Sequence, residues 1–363
     1  MIFITNEPEG INAEILDSLE TKQRIWRSFN LWNINQKFAE FSCSELSSES
    51  RARSATSIVK EVLEAHGKES LGRYMADLAQ IETGVQKINP ELRDHVSHSV
   101  YTFFLGLYFK SKLPQIKIRR PLSWKLAAFL HDIGYPVEHY TRLIGEYLNS
   151  VNSLKMGIIN NIQLSRVPYS INIKNLEKLV SGRNAFELIK SRLEKWDLTV
   201  DIKEIYYRKM SDGIVDHGIL SALVVLNIVD ALFFHNNPHN LKKHDWDGPI
   251  DWSINWFYRD NLDAASAIAV HNLPLNKLGS RISFEKAPLL YLLLLCDSLQ
   301  IWDRYSPKKL ACGPNSIKME FKENKIICNL KLPDEEFQEV KNDVGRLQSS
   351  QIELELIQEG IAK

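Results

Sequence analysis

The chain has 363 residues, 44% of them apolar, enough to bury a substantial core in one large or two ordinary domains. Lysine plus arginine equals aspartate plus glutamate at 45 each, and a zero net charge argues against a protein whose main task is to coat nucleic acid or an anionic membrane. The four cysteines, Cys43, Cys296, Cys312 and Cys328, lack CxxC spacing, which argues against a cysteine zinc site or a disulfide framework and fits the reduced thiols of a cytoplasm.

Residues 1–90 read as an N-terminal segment of polar helices. The opening MIFITNEPEG is too short and too acidic for a signal peptide. ESRARSATSIVKEVLEAHGK has helical spacing, with Gly67 as its stop. Residues 91–305 are more apolar and mostly helical and form the expected core. Within them, 141–212 read as a helical insertion containing NAFELIKSRLEKW, and 236–262 as a long loop rich in Asn, Pro, Asp and Trp. The longest apolar run, Pro288 to Cys296, is far short of a membrane span. In 306–363, SIKMEFKENKIICNLKL alternates polar and apolar residues around Glu-Asn-Lys, which predicts a β-hairpin, and a polar helix is expected to close the chain. The predicted fold is therefore mainly α with a small C-terminal hairpin.

Burying an unpaired charge is costly, so charged groups inside apolar patterns are expected to be paired or bound to metal. His131 and Asp132 follow LAAFL. His217 sits in GIVDHGILSALVVL, His271 follows AASAIAV, Asp297 follows LLYLLLLC, and His98 opens HSVYTFFLGLYF. Any one of these alone reads most simply as a hydrogen-bonded core residue or a helix cap; together they form a donor set. Imidazole nitrogens and carboxylate oxygens suit Mn, Fe, Co, Ni or Zn, and carboxylates also hold Mg. Adjacent His131 and Asp132 can both reach one ion, because neighbouring side chains on a helix are only about 100° apart. Small Ala127 and Ala128 let neighbouring helices approach, and Gly134 and Pro136 are expected to stop the helix and leave the pair near a mouth. A second pair, His244-Asp245, lacks the preceding apolar run and reads as loop. His66 and His139 carry no functional signal, and Pro238 between His235 and His239 argues against a helical metal pair there.

This arrangement resembles the HD superfamily of metal-dependent phosphohydrolases over roughly residues 93–304. RDHVSHSVYTFFLG supplies the first histidine, FLHDIGYP the His-Asp pair and LLLLCDSLQIWDR the late aspartate. The family's first ligand is typically followed by Ser, Thr or Cys, which points to His98 before Ser99; His95, one turn earlier, is the alternative. His217 in DHGILSAL and His271 in AIAVHNLP match the places of two further histidines in two-metal members such as the HD-GYP phosphodiesterases. The resemblance implies an all-α core with converging ligand helices and one or two divalent ions held by His98, His131, Asp132, His217, His271 and Asp297. Asp132 would bridge two such ions.

The match is incomplete. Where many members carry Lys or His beyond HDxG, to contact phosphate or move a proton, this chain has Tyr135. His271 is followed by Asn272, so the full HD-GYP signature is absent. Arg304, seven residues after Asp297, is a candidate to neutralise phosphate charge, with Asp303 beside it. Glu138 reads more simply as a solvated carboxylate than as a proton donor. Trp246, Trp252 and Trp256, with Phe257 and Tyr258, could stack on a base, though packing of the loop is the simpler reading. The implied function is cytoplasmic hydrolysis of a phosphoester or phosphoanhydride of a nucleotide or cyclic nucleotide. Two alternatives stand: a deoxynucleoside triphosphate triphosphohydrolase, and a catalytically idle HD domain that senses a nucleotide and regulates a partner. No membrane partner and no sequence-specific duplex DNA are expected, the basic KIRRP stretch notwithstanding; homo-oligomerisation is left open.

Overall fold

A computed structural model describes residues 8–22, 34–43, 48–64, 94–116, 121–141, 174–235, 260–302 and 313–360. The protein is mainly α. Helices α1 (Ile11–Thr21), α2 (Ile34–Ser42) and α3 (Ser48–Glu64) are followed by α4 (His95–Lys112) and α5 (Pro121–Leu130). Next come α6 (Lys174–Glu177), α7 (Ala185–Lys195), α8 (Ile202–Ser211), α9 (His217–His235), α10 (Leu262–Val270) and α11 (Leu275–Leu278). A two-residue strand, β1 (Ile282–Ser283), precedes α12 (Pro288–Leu299).

The central helices are apolar all round, which is the signature of a helix enclosed by others. In α4 every residue from His95 to Phe109 is buried, and in α5 every residue from Leu122 to Leu130. Asp94 caps α4 by accepting the Ser97 N–H at 3.0 Å and its hydroxyl at 2.6 Å. Helix α5 begins with Pro121, whose fixed φ suits a first helical position. Helices α5 and α12 pack on each other and each on both α4 and α10, and α9 joins them through α10. The N-terminal helices α1 and α3 cover α4. One residue there breaks the apolar pattern: Lys125 is fully buried on α5, and its Nζ lies 3.5 Å from the Val62 carbonyl of α3.

Helix α5 ends at Leu130, and residues 131–134 form turns, so His131 and Asp132 lie just beyond the helix and not on its last turn. The apolar helix does stop before Gly134 and Pro136, but a new one begins at 135 and runs to 141, with Pro136 in its first turn, where a missing N–H costs nothing. Within the expected 141–212 insertion, the described part is helical, and Asn184 caps α7 by accepting the Glu187 N–H at 3.2 Å.

The C-terminal hairpin forms as read. Strands β2 (Ile317–Lys322) and β3 (Lys325–Leu330) pair antiparallel with Lys322 opposite Lys325, which leaves Glu323 and Asn324 as the turn. The helix after it, α13 (Asp334–Val344), does not close the chain. It leads through β4 (Leu347–Gln348) to a third sheet strand, β5 (Glu353–Gln358), which runs parallel to β3. Parallel neighbours need a crossover, and α13 supplies it. The strand was overlooked because β5 is a half-exposed, acidic edge whose alternation is weak. Strand β4 pairs parallel with β1. One continuous buried cluster runs from Ile11 to Ile352. Among the described residues no helix is long and apolar enough to cross a membrane.

Candidate metal centre

Five separate places in the chain converge on one cluster. His98 comes from the second turn of α4, His131 and Asp132 from the turn after α5, and His217 from the first position of α9. His271 follows the last residue of α10, and Asp297 lies in the last turn of α12. His98, His131, Asp132 and His271 are buried, while His217 and Asp297 are partly exposed. Three overlapping groups, His98/His131/Asp132, His131/His271/Asp297 and Asp132/His217/His271, each place their ligand atoms within 4.8 Å of one another, so the cluster can hold a metal ion.

Asp132 divides its two oxygens. Its Oδ2 lies 3.2 Å from His131 Nε2 and 3.8 Å from His98 Nε2, whereas Oδ1 lies 3.4 Å from His217 Nε2 and 3.5 Å from His271 Nε2. Asp297 closes the first side, with Oδ1 at 2.9 Å from His98 Nε2 and 3.9 Å from His131 Nε2. The carboxylate of Asp132 thus faces two pairs of imidazoles, one from each oxygen.

The other ring nitrogen of each histidine has its own oxygen partner. His131 Nδ1 is 2.9 Å from the Ala128 carbonyl, and His271 Nδ1 is 2.7 Å from the Ile268 carbonyl. His98 Nδ1 meets Gln300 Oε1, and His217 Nδ1 meets the Glu138 carboxylate. These oxygens can only accept, so Nδ1 always carries a proton, and Nε2 is the nitrogen that presents a lone pair to the cluster whenever the ring is neutral. That is the tautomer metal ligation requires, and hydrogen bonds of this kind both orient the ring and raise its basicity. The donor set of nitrogen and oxygen atoms fits a borderline divalent ion. Cys296 precedes Asp297, but burial, with Asp297 adding, pushes its thiol well up, and it belongs to none of the three groups.

Electrostatics hold the cluster charged. Burial opposes ionisation of Asp132, yet His131 and His271 keep its carboxyl well below the usual range. Burial likewise opposes ionisation of Asp297, and His98 outweighs it. Burial alone would lower His131, but Asp132 and then Asp297 raise it. His217 is lifted to about 9 against its burial, chiefly by Glu138 and Asp132.

Two glycine contacts let the elements meet. A Cβ at Gly134 would stand 2.6 Å from the His217 carbonyl and 3.0 Å from Ser221 Oγ, and the Gly134 N–H donates to that hydroxyl at 2.8 Å. A Cβ at Gly218 would stand 2.7 Å from Asn272 Oδ1 and 2.9 Å from the Ile268 carbonyl. Side chains at either position would drive α9 away from the turn carrying Asp132 or from the end of α10.

The remaining sequence candidates fall as follows. His98, and not His95, belongs to the cluster; His95 stacks on Tyr135 with ring centroids 3.8 Å apart. Tyr135 also lies edge-on to His217 at 5.5 Å, so it borders the site. Glu138 is not a free solvated carboxylate: it is half-buried and accepts both the His217 ring N–H and, at 2.8 Å, the His217 main-chain N–H. Its signal in the sequence was only its position six residues after Asp132. Gln300, which orients His98, carried no signal. Asp303, Arg304, His66, Lys117 to Arg120 of the KIRRP stretch, His239, the His244-Asp245 pair and the Trp246, Trp252, Trp256, Phe257 and Tyr258 aromatics lie outside the described residues. No protein-family model, no curated protein and no solved structure matches the chain.

Proposed function

We propose that this protein is a metal-dependent phosphohydrolase of the HD type, acting on a phosphoester or phosphoanhydride of a nucleotide. The observation that carries the reading is the set of four histidines whose Nδ1 atoms are tied to oxygen acceptors while their Nε2 atoms converge on Asp132 and Asp297. An ordinary core histidine needs one satisfied nitrogen on each side; here the inward nitrogens face one another and two carboxylates.

A divalent ion held there would lower the pKa of a coordinated water from about 16 toward neutrality and so would supply a nucleophile at neutral pH. His98, His131 and Asp297 would hold an ion on the Oδ2 side of Asp132, and His217 and His271 one on the Oδ1 side. The count favours two ions: six protein groups around one ion would leave no open position. Gln300, Glu138 and the Ala128 and Ile268 carbonyls keep the four rings turned inward. Tyr135 forms one wall, stacked on His95 and beside His217.

A second reading is supported by that same Tyr135. It stands where many HD proteins carry a Lys or His directed at phosphate, and its stacking on His95 occupies one of its faces. A nucleotide-sensing module would need the pocket but not that cation.

Product analysis separates these readings. Full-length protein is incubated with Mn, Mg, Co or Ni and a panel of nucleoside triphosphates, cyclic nucleotides and cyclic dinucleotides. Release of phosphate or a linear monophosphate supports the phosphohydrolase in general, and release of inorganic triphosphate from deoxynucleotides supports the triphosphohydrolase alternative. Saturable nucleotide binding with no product from any metal would favour the sensor.

A further inference from the structure

Arg346 lies outside every motif of the site, yet its guanidinium closes the end of the helix that delivers His271. The side chain is buried. Its Nη1 donates to the His271 carbonyl and to the Leu273 carbonyl, both at 2.8 Å. Its Nε donates to the Asp343 carbonyl at 3.1 Å and its Nη2 to Asp343 Oδ1 at 3.0 Å, so the planar fork is held from both sides. A cation at a helix C-terminus also matches the negative end of the helix dipole. His271 is thus fixed twice, its ring by the Ile268 carbonyl one turn back and its peptide by Arg346.

The main chain around Arg346 reaches the other side of the site. Its carbonyl accepts the Ile282 N–H at 2.8 Å, and Gln348 accepts the Phe284 N–H at 3.0 Å, pairing β4 with β1. Glu285 accepts Ser349 Oγ at 3.0 Å and the Ser350 N–H at 2.9 Å. Ala287, bonded to the Ser283 carbonyl at 2.9 Å, then opens α12, which carries Asp297. Residues 343–350 are therefore tied to both ends of the connection between His271 and Asp297.

We infer that Arg346 is a positioning residue for the metal centre, and that the C-terminal segment holding it sets the placement of His271 relative to Asp297. This rests on the reading of the cluster as a metal site. The test is titration of the full chain with Mn(II), read as affinity and stoichiometry and not only as turnover. Arg346→Met keeps the buried stem and removes the fork; it should weaken Mn(II) binding about tenfold, the lower end of what loss of a ligand-orienting partner costs. Arg346→Lys, a point donor that cannot span both carbonyls and Asp343, should fall between. Adding Arg346→Met to His271→Ala should change Mn(II) affinity no further, because the residue acts through His271. A folded Arg346→Met protein with wild-type Mn(II) affinity overturns the inference, as does equal weakening in the His271→Ala background. If Arg346→Met does not fold, Asp343→Ala decides, since that half-exposed carboxylate can be removed without emptying the core: it should weaken Mn(II) binding several-fold, and unchanged affinity contradicts the inference. A wild-type protein that binds no Mn(II) fails the metal reading itself; a binding wild type with insensitive variants fails this inference alone.

Discussion

The Nε2 atoms of His98 and His131 lie 3.2 Å apart in the buried heart of the protein, while each ring's Nδ1 is already engaged with an oxygen acceptor. Two lone pairs at that separation repel unless a cation lies between or beside them. In the ion-free protein that cation can only be a proton, and the carboxylates of Asp132 and Asp297 draw it in. A divalent ion held there would satisfy both nitrogens and both carboxylates at once.

Replacing Asp132 by Ala should therefore abolish metal retention and hydrolysis together, since both halves of the cluster use its carboxylate. The fold should survive, because the buried imidazoles left behind can shed their protons and stay neutral, instead of leaving an uncompensated charge. Circular dichroism and elemental analysis of the purified variant check this. Unchanged metal in the folded variant would remove Asp132 from the site.

Metal affinity should fall as the medium is acidified. An ion must displace protons from the imidazoles, and His131 and His217 hold theirs more tightly than a free histidine, His217 up to about 9. Each proton displaced makes affinity fall about tenfold per pH unit below the relevant pKa. Stability of the ion-free protein should move the other way: a raised histidine pKa contributes fully below about 6.5, its unfolded value, and that contribution is lost as pH rises through about 9. Calorimetry with and without Mn(II) from pH 6 to 9 reads both slopes.

Lys125 supplies a separate pH dependence. Burial pulls its ammonium down to about 7, so between about 7 and 10 the unfolded chain binds a proton that the folded one lacks, and stability rises with pH across that window. Lys125→Met, similar in volume and uncharged, should flatten that rise and raise stability at pH 7. Urea unfolding at pH 7 and 9 compares the two; an unchanged slope in the variant would show that Lys125 is not its source.

Much of the site could be read before any coordinate. Each histidine and aspartate of the cluster interrupts or ends an apolar run, and that is where a buried charge leaves a mark on a sequence. What supports them left no such mark. Glu138 sits in a polar stretch beside exposed Tyr140 and looks solvated until His217 is seen above it. Gln300 and Arg346 bond to groups far away in the chain, and Lys125 is a cation inside a pattern that otherwise reads as core. The strand β5 was missed for a related reason: an edge strand has one exposed side, so its composition tracks solvent and not its pairing. The mainly α class and the hairpin were legible because their periodicities are local.

Gly134→Ala should damage the site without touching a ligand. The added methyl would stand 2.6 Å from the His217 carbonyl, a distance a Cβ does not tolerate, and tight against Ser221 Oγ, so α9 must shift away from Asp132. Loss of about 1–3 kcal/mol of stability is expected from such overpacking, with weaker metal binding on the His217 side. Wild-type metal stoichiometry in this variant would show that the close approach of the two segments is dispensable.

Anomalous diffraction from crystals of the full-length protein grown with Mn(II) tests the central claim most directly. The account predicts two peaks, one on each side of the Asp132 carboxylate, the first reached by His98, His131 and Asp297 and the second by His217 and His271. A well-ordered cluster with no peak under saturating Mn(II), Co(II) or Zn(II), its histidines hydrogen-bonded only to protein and water, would contradict it.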